Sequence, residues 1–282
     1  MCRLFGFRSV IHSQVHESLV RADNALGIQS NDHPDGWGVS YYVGDSPHII
    51  KSGKTAINDS IFQKISGVVS SQTVMAHIRK ATLGEINILN THPFQFGHWT
   101  FAHNGNIKDF SKVRDKLLDN IAPEFRRYIL GTTDSELIFY YLISNIAARV
   151  NIHDSYIKIA PVMEAVEETI KEIIKIIGPL HLENDGPNTE NYLTFIITNG
   201  KVMVGINGGK NLYYSTYKNR CLDRDNCPSF APECEAATTT GSINHLIFSS
   251  EPLSGDNIWL KMDAFEMIGV DNHMKLTIKK AT

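Results

Sequence analysis

The chain has 282 residues, 27 basic against 30 acidic, and a net charge of -3 at pH 7. That balance excludes the electrostatic footprint of a nucleic-acid or membrane-surface binder and leaves a small molecule or another protein as partner. The best apolar run, LIFYYLI at 137–143, falls far short of the ~18 residues of a membrane-spanning helix, so a soluble protein is expected.

The amino terminus, MCRLFGFRSVIHSQVHE, lacks the apolar core and small-residue cleavage site of a secretory signal. Four cysteines without such a signal fit a reducing compartment, and a cytoplasmic location is expected. Cys2 stands directly behind Met1. Methionine aminopeptidase accepts small second residues, and removal of Met1 would join a thiol and an α-amine on one residue. With reference pKa values near ~8.5 and ~8, these form a workable nucleophile and base. The plainer alternative is a buried first strand residue, since free cysteine packs as a small hydrophobe.

In chain order, β-branched and aromatic runs predict strands at 2–9, 36–44, 48–53, 73–81 and 98–105, then at 192–200, 201–207, 211–217, 245–250 and 274–280. Gly, Asn and Asp separate most of them, which favours antiparallel pairing through tight turns, with Asn199-Gly200 as one hairpin turn. A helix is predicted over 13–27, with Leu19, Ala22 and Leu26 on one face. Thr133 and Glu136 stand at capping-box spacing and predict a helix start near Asp134. A third helix over 161–178 places Val162, Val166, Ile170, Ile173, Ile174 and Ile177 on one stripe and pairs Glu167 with Lys171 on the other face. Strand-rich ends around a helical middle predict a layered α+β protein with two sheets and helices outside them. No interdomain linker or repeat is visible, and one domain over 1–282 is expected.

Cys221, Cys227 and Cys234 are spaced C-x5-C-x6-C, which lacks the paired knuckles of a zinc site, so they read as free thiols in an irregular stretch at 217–242. No metal site is expected, and the scattered histidines read as structural or solvent-facing. Polar constellations collect instead at element ends: DHPDGWG at 32–38, AHIRKATLG at 76–84, FAHNGN at 101–106 and GTTDSE at 131–136. Each has a plain explanation alone. Arg79 reads as a surface cation, Asn104-Gly105 as a hairpin turn, and Asp134 as an anion favoured at a helix start.

Taken in order, Cys2, AHIRKAT, NTHPF, HNG and TDSE resemble the glutaminase domain of class II, N-terminal-nucleophile glutamine amidotransferases. MCRLFGF, HPDGWGVSYY, TFAHNGNI, FIITNGKVMVG and SSEPLSGDNIW carry the resemblance over almost the whole chain. They bring it nearest the stand-alone branch, which includes bacterial single-domain members, ergothioneine-pathway γ-glutamyl hydrolases and the amidotransferase subunit of fungal glutathione degradation. The resemblance is weakest at 217–242.

It implies a four-layered αββα N-terminal-nucleophile hydrolase sandwich with two mainly antiparallel sheets, and attack on a small-molecule γ-glutamyl amide without a cofactor. By the same resemblance, Cys2 is the nucleophile through a thioester, and the Asn104 side chain with the Gly105 backbone N–H forms the oxyanion hole. Arg79 and Thr82 take the substrate α-carboxylate, and Asp134 takes its α-ammonium. His33, His92 and His103 are expected in supporting roles, and Asp35, Gly36 and Gly38 shape a loop near Cys2. Lys80 and Leu83 depart from the Arg-Trp-Ala-Thr-His pattern of synthase-linked members, so the pocket wall differs there. No synthase segment follows the signature, which favours a hydrolase over a glutaminase subunit feeding ammonia to a synthase or peptidase partner protein. A non-catalytic module that merely holds a γ-glutamyl ligand is the third reading.

Overall fold

Side-chain alternation along the first strand sets the layers of the molecule. In β1 (Arg3–Gln14), Leu4 packs into a core shared by two sheets, while Phe5 and Phe7 pack on the opposite face. The computed structural model describes residues 2–281 apart from 185, 188, 223, 239 and 240; Met1, whose removal the sequence predicts, lies outside them.

The remaining strands in chain order are β2 (Trp37–Val43), β3 (Ser46–Ser52), β4 (Ser70–Ile78), β5 (Phe94–Phe96), β6 (Trp99–Asn106) and β7 (Tyr192–Thr198), followed by β8 (Met203–Ile206), β9 (Tyr213–Ser215), β10 (Gly241–Ser242), β11 (His245–Ser249), β12 (Leu260–Lys261), β13 (Glu266–Val270) and β14 (Lys275–Lys280). They form two seven-stranded sheets, β12-β9-β11-β1-β4-β2-β3 and β10-β14-β13-β8-β7-β6-β5. Every pairing within them is antiparallel. Both sheets draw strands from before and after the helical middle of the sequence.

Leu4, Met75, Ala102, Ile196, Met203, Phe248 and Ile268 fill the space between the sheets. On the far side of the first sheet, Phe5, Trp37, Val39 and Ile78 pack with Leu19, Leu26 and Phe62. The last two belong to α1 (Leu26–Gln29) and α2 (Ser60–Val68). On the far side of the second sheet lie α3 (Phe110–Asp119), α4 (Pro123–Arg126), α5 (Asp134–Ala147) and α6 (Ile159–Ile177). The result is the predicted αββα order. Fully burying a Leu, Ile or Phe side chain stabilises by ~1.5–3 kcal/mol, so these three clusters hold the layers together.

The helix starting near Asp134 is present, and the Thr133 hydroxyl accepts a hydrogen bond from the Glu136 N–H at 3.4 Å. The predicted stripe of α6 faces inward, and Lys171 meets Glu167 at 3.0 Å on its other face. The helix predicted over 13–27 is largely absent. β1 runs on to Gln14, which pairs with Ser70, and only a wide turn at Glu17–Arg21 and the short α1 are helical. Asn24 is the reason: its amide donates to the Pro252 carbonyl at 2.7 Å and accepts from the Ser254 N–H at 2.8 Å. Such side-chain contacts hold the backbone out of the helix.

Candidate active site

β1 and β4 pair with Arg3 opposite Ile78, so the residue before β1 meets the residues after β4. There the Lys80 N–H donates to Cys2 Sγ at 3.4 Å, and the thiol faces the Lys80 carbonyl at 3.5 Å. By alternation with Leu4, the half-buried Cys2 points between the sheets. Burial pushes its thiol pKa up, against the Lys80 N–H, the chain's amino-terminal charge and Arg79, which lower it, while Asp134 adds to the rise. The thiol therefore needs a base to become a nucleophile.

The loop that holds Cys2 is itself held from β2. The Asp35 carboxylate accepts from the Ala81 N–H at 2.8 Å, the Asp35 N–H donates to the Arg79 carbonyl at 3.1 Å, and the Arg79 N–H donates to the Gly36 carbonyl at 2.8 Å. Gly38 makes room nearby: a Cβ on it would lie 2.0 Å from the His92 carbonyl oxygen. The motif DHPDGWG thus braces the residues on both sides of the thiol.

Arg79, Thr82, Gly105 and Asp134 line one cavity with Cys2. Asn104, beside Gly105 on β6, is buried with its side-chain carbonyl unpaired. Gly105 admits no side chain, since a Cβ would sit 2.0 Å from His103 Nε2 and 2.2 Å from the Tyr192 carbonyl. Thr82 is exposed at the cavity wall.

Two of these residues have duties the sequence did not announce. The buried Arg79 guanidinium donates to the carbonyls of Glu85 and Leu83, each at 3.0 Å, and of Gly84 at 3.5 Å. Those contacts use three of its five N–H groups. Asp134 Oδ2 accepts from the Ile107 N–H and Oδ1 from the Ser135 N–H, both at 2.7 Å. The Ser135 hydroxyl also lies 3.2 Å from Oδ1, so Oδ2 is the oxygen that retains acceptor capacity for a further partner.

Asn90, the first residue of NTHPF, has a duty that the motif does not announce. Its amide donates to the Glu85 carbonyl at 3.1 Å, and its carbonyl accepts from the Thr132 N–H at 2.9 Å. It clips the 83–90 loop to the start of α5 and lines the cavity. Glu136 completes that corner, accepting from the N–H groups of Leu130 and Gly131 at 3.0 and 2.6 Å. Burial raises its pKa despite those donors and the nearby Lys51, whose own pKa burial lowers to about 8.

Histidines crowd the surroundings, and burial disfavours their charged forms. Burial lowers the pKa of His33, His92 and His103, and that of His77 to about 3. His33 Nδ1 meets the Gln29 carbonyl at 2.7 Å, while His103 meets the Tyr192 carbonyl at 3.1 Å and the Ser135 hydroxyl at 2.9 Å. Cys221, Cys227 and Cys234 are free thiols, and among the described residues no group of three or more His, Cys, Asp and Glu is placed to hold a metal ion. No helix among them is long and apolar enough to cross a membrane.

Two stacked antiparallel sheets with a strand-end cysteine pointing between them are the architecture of the N-terminal-nucleophile amidotransferase fold. The chain belongs to the class II glutamine amidotransferases, whose family model matches residues 1–273. It is 28% identical over 273 residues to a Haemophilus influenzae protein named "Putative glutamine amidotransferase", covering 93% of this chain and 82% of that one. It is 31% identical over 119 residues to the γ-glutamyl-hercynylcysteine sulfoxide hydrolase of Mycobacterium tuberculosis, covering 38% of this chain and 50% of that one. The solved structure of a glutamine aminotransferase class-II domain protein from Silicibacter pomeroyi superposes with a TM-score of 0.60 over 99% of both chains at 17% identity, a likeness of fold.

Proposed function

We propose that the chain hydrolyses the γ-amide of a small γ-glutamyl compound through a thioester on Cys2. The observation that carries this reading is the shared cavity: a thiol, a guanidinium, a carboxylate and Gly105 of β6, with Asn104 next to it in the strand, converge on one space.

The chemistry follows from those groups. Once Cys2 is the first residue, its α-amine takes the thiol proton as sulfur attacks the γ-carbonyl carbon. The carbonyl oxygen becomes an oxyanion that the Asn104 side-chain amide and the Gly105 N–H stabilise. Collapse breaks the C–N bond, and the ammonium formed at the amino terminus returns the proton to the leaving amine. Water then attacks the thioester, giving glutamate and the free thiol. Arg79 recognises the α-carboxylate with its remaining N–H groups and holds the 83–85 loop with the others, while Asp134 takes the α-ammonium.

A hydrolase is favoured over a bare glutaminase by the M. tuberculosis relative, whose name is that of a γ-glutamyl hydrolase. The test is a panel of glutamine, γ-glutamyl peptides and γ-glutamyl amines, given to protein verified by mass to begin at Cys2. The expected result is release of glutamate from at least one γ-glutamyl compound by the isolated chain. Activity that arises only with a partner present would reassign it as a glutaminase subunit.

A further inference from the structure

Two imidazoles next to this chemistry are left without a duty. His77 and His92 are buried, with relative exposures of 0% and 4%. Their ring centroids lie 4.2 Å apart with planes tilted by 42°. Neither ring nitrogen of His92 has a hydrogen-bond partner in the protein, and the His77 ring has the His103 backbone beside it. His33 and His103, buried close by, are bonded through their rings. A buried polar atom is ordinarily paired, and two touching rings left short of partners mark a place built for a polar guest.

The fold brings that place to the nucleophile. His77 lies on β4 opposite Leu4 on one side and Gly38 on the other. His92 reaches it because Gly38 has no Cβ to block the His92 backbone. Phe94 meets the His92 ring edge-on at 4.7 Å and fixes its orientation. His92 lines the same cavity as Cys2. Burial, with Arg79 and the neighbouring histidines, keeps both rings neutral, and Lys51 adds to this at His92. Each neutral ring therefore offers one N–H donor and one bare acceptor nitrogen.

We propose that His77 and His92 hold ordered water, one molecule of which hydrolyses the Cys2 thioester. This rests on the γ-glutamyl reading above. One ring N–H donates to the water oxygen, the bare nitrogen of the other ring accepts one water hydrogen, and the second hydrogen goes to the Cys2 α-amine. The remaining lone pair faces the thioester carbon. As the C–O bond forms, the amine takes the proton. As the tetrahedral species collapses, the C–S bond breaks and the thiolate recovers that proton. The imidazoles neither gain nor lose one, so they are positioning residues.

The experiment compares the parent with His77→Phe and His92→Phe, which keep ring volume while removing the nitrogens, using γ-glutamyl-p-nitroanilide. The expected variant releases one equivalent of p-nitroaniline at the parent's burst rate, then turns over roughly tenfold or more slowly, as a misplaced nucleophile should. A γ-glutamyl adduct accumulates on the Cys2 peptide. Added hydroxylamine, which brings its own nucleophile, restores turnover, and His92→Asn recovers part of the hydrolysis. Parent-like turnover in folded Phe variants, or a burst that slows in step with steady turnover and is not helped by hydroxylamine, would overturn the inference. Should the Phe variants not fold, His77→Asn and His92→Asn carry the same hydroxylamine comparison. A parent that releases no amine and forms no adduct from any γ-glutamyl compound would overturn the γ-glutamyl reading, and this inference with it.

Discussion

The inter-sheet layer has two polar ends that are built in opposite ways. At one, the Tyr42 hydroxyl on β2 lies 2.7 Å from the His98 carbonyl, 3.1 Å from Thr100 Oγ1 and 3.2 Å from the Thr198 carbonyl, tying the first sheet to the second. The Thr73 hydroxyl donates to the Gly200 carbonyl at 2.8 Å, and Asn199 Oδ1 accepts from the N–H groups of Lys201 and Val202. Roughly 13 Å away along β2, at Gly38, the other end holds His77, His92 and Asn104 with unpaired polar atoms, and His92 lines the cavity with Cys2. Paired polar groups rigidify a core, whereas unpaired ones wait for a ligand or a reacting atom. The first end is scaffold and the second is the candidate site.

Four tests probe that contrast, in order of decreasing effect. Asn104→Ala should lower kcat by ~10²–10³-fold with a smaller change in KM, as loss of an oxyanion donor does. Steady-state kinetics on the preferred γ-glutamyl substrate check it; a rise in KM alone would move Asn104 to ground-state binding. Next, Arg79→Ala and Asp134→Asn should each weaken substrate binding by ~1.5–3 kcal/mol, the worth of one charge-assisted contact. A substrate lacking the α-carboxylate should be poor for the parent and lose little more with Arg79→Ala. Because Arg79 also holds the 83–85 carbonyls, its variant should in addition speed proteolysis of that loop, which Asp134→Asn should not.

The third concerns acid. His77 titrates at about 3 in the fold and near ~6.5 when unfolded, so between those values the unfolded chain binds more protons. Its stabilising contribution is fully present above ~6.5 and is lost as pH falls toward 3, at about 1.4 kcal/mol per pH unit. His92 and His103 shift in the same direction. Urea unfolding at pH 7 and pH 5 should show the loss, and His77→Phe should make the pH slope shallower. The smallest effect is expected at the scaffold end: Tyr42→Phe should cost ~1 kcal/mol of stability through its lost hydrogen bonds and leave kcat/KM unchanged.

What was legible in the sequence divides along the same line. Strands such as YLTFIIT and HLIFS announce themselves by β-branched composition and flanking turns, and Thr133 with Glu136 announces the start of α5. β13 was missed because Glu266 and Gly269 interrupt a run of only five residues. α3 was missed although Phe110, Val113, Leu117 and Leu118 stand at helical spacing, because its first turn follows Asp109 in a left-handed conformation, φ 51°, with no side-chain cap to mark the start. The candidate residues were legible as motifs in fixed order, and the fold gathers Cys2, Arg79, Thr82, Gly105 and Asp134 around one cavity. Their mutual bracing was not legible. That Gly38 makes way for His92, that Asn90 clips the loop to Thr132, and that Arg79 is partly committed to Leu83 and Glu85 all depend on contacts between distant segments.

The central claim is that the Cys2 α-amine is the base for its own thiol, and an uncleaved amino-terminal extension with a protease site before Cys2 tests it most directly. The extension turns the amine into an amide that cannot accept a proton. The account predicts loss of activity with the extension intact, recovery when cleavage makes Cys2 the first residue, and a kcat/KM that rises through an amine-like ionisation near ~8. Undiminished activity with the extension verified in place by mass would contradict it.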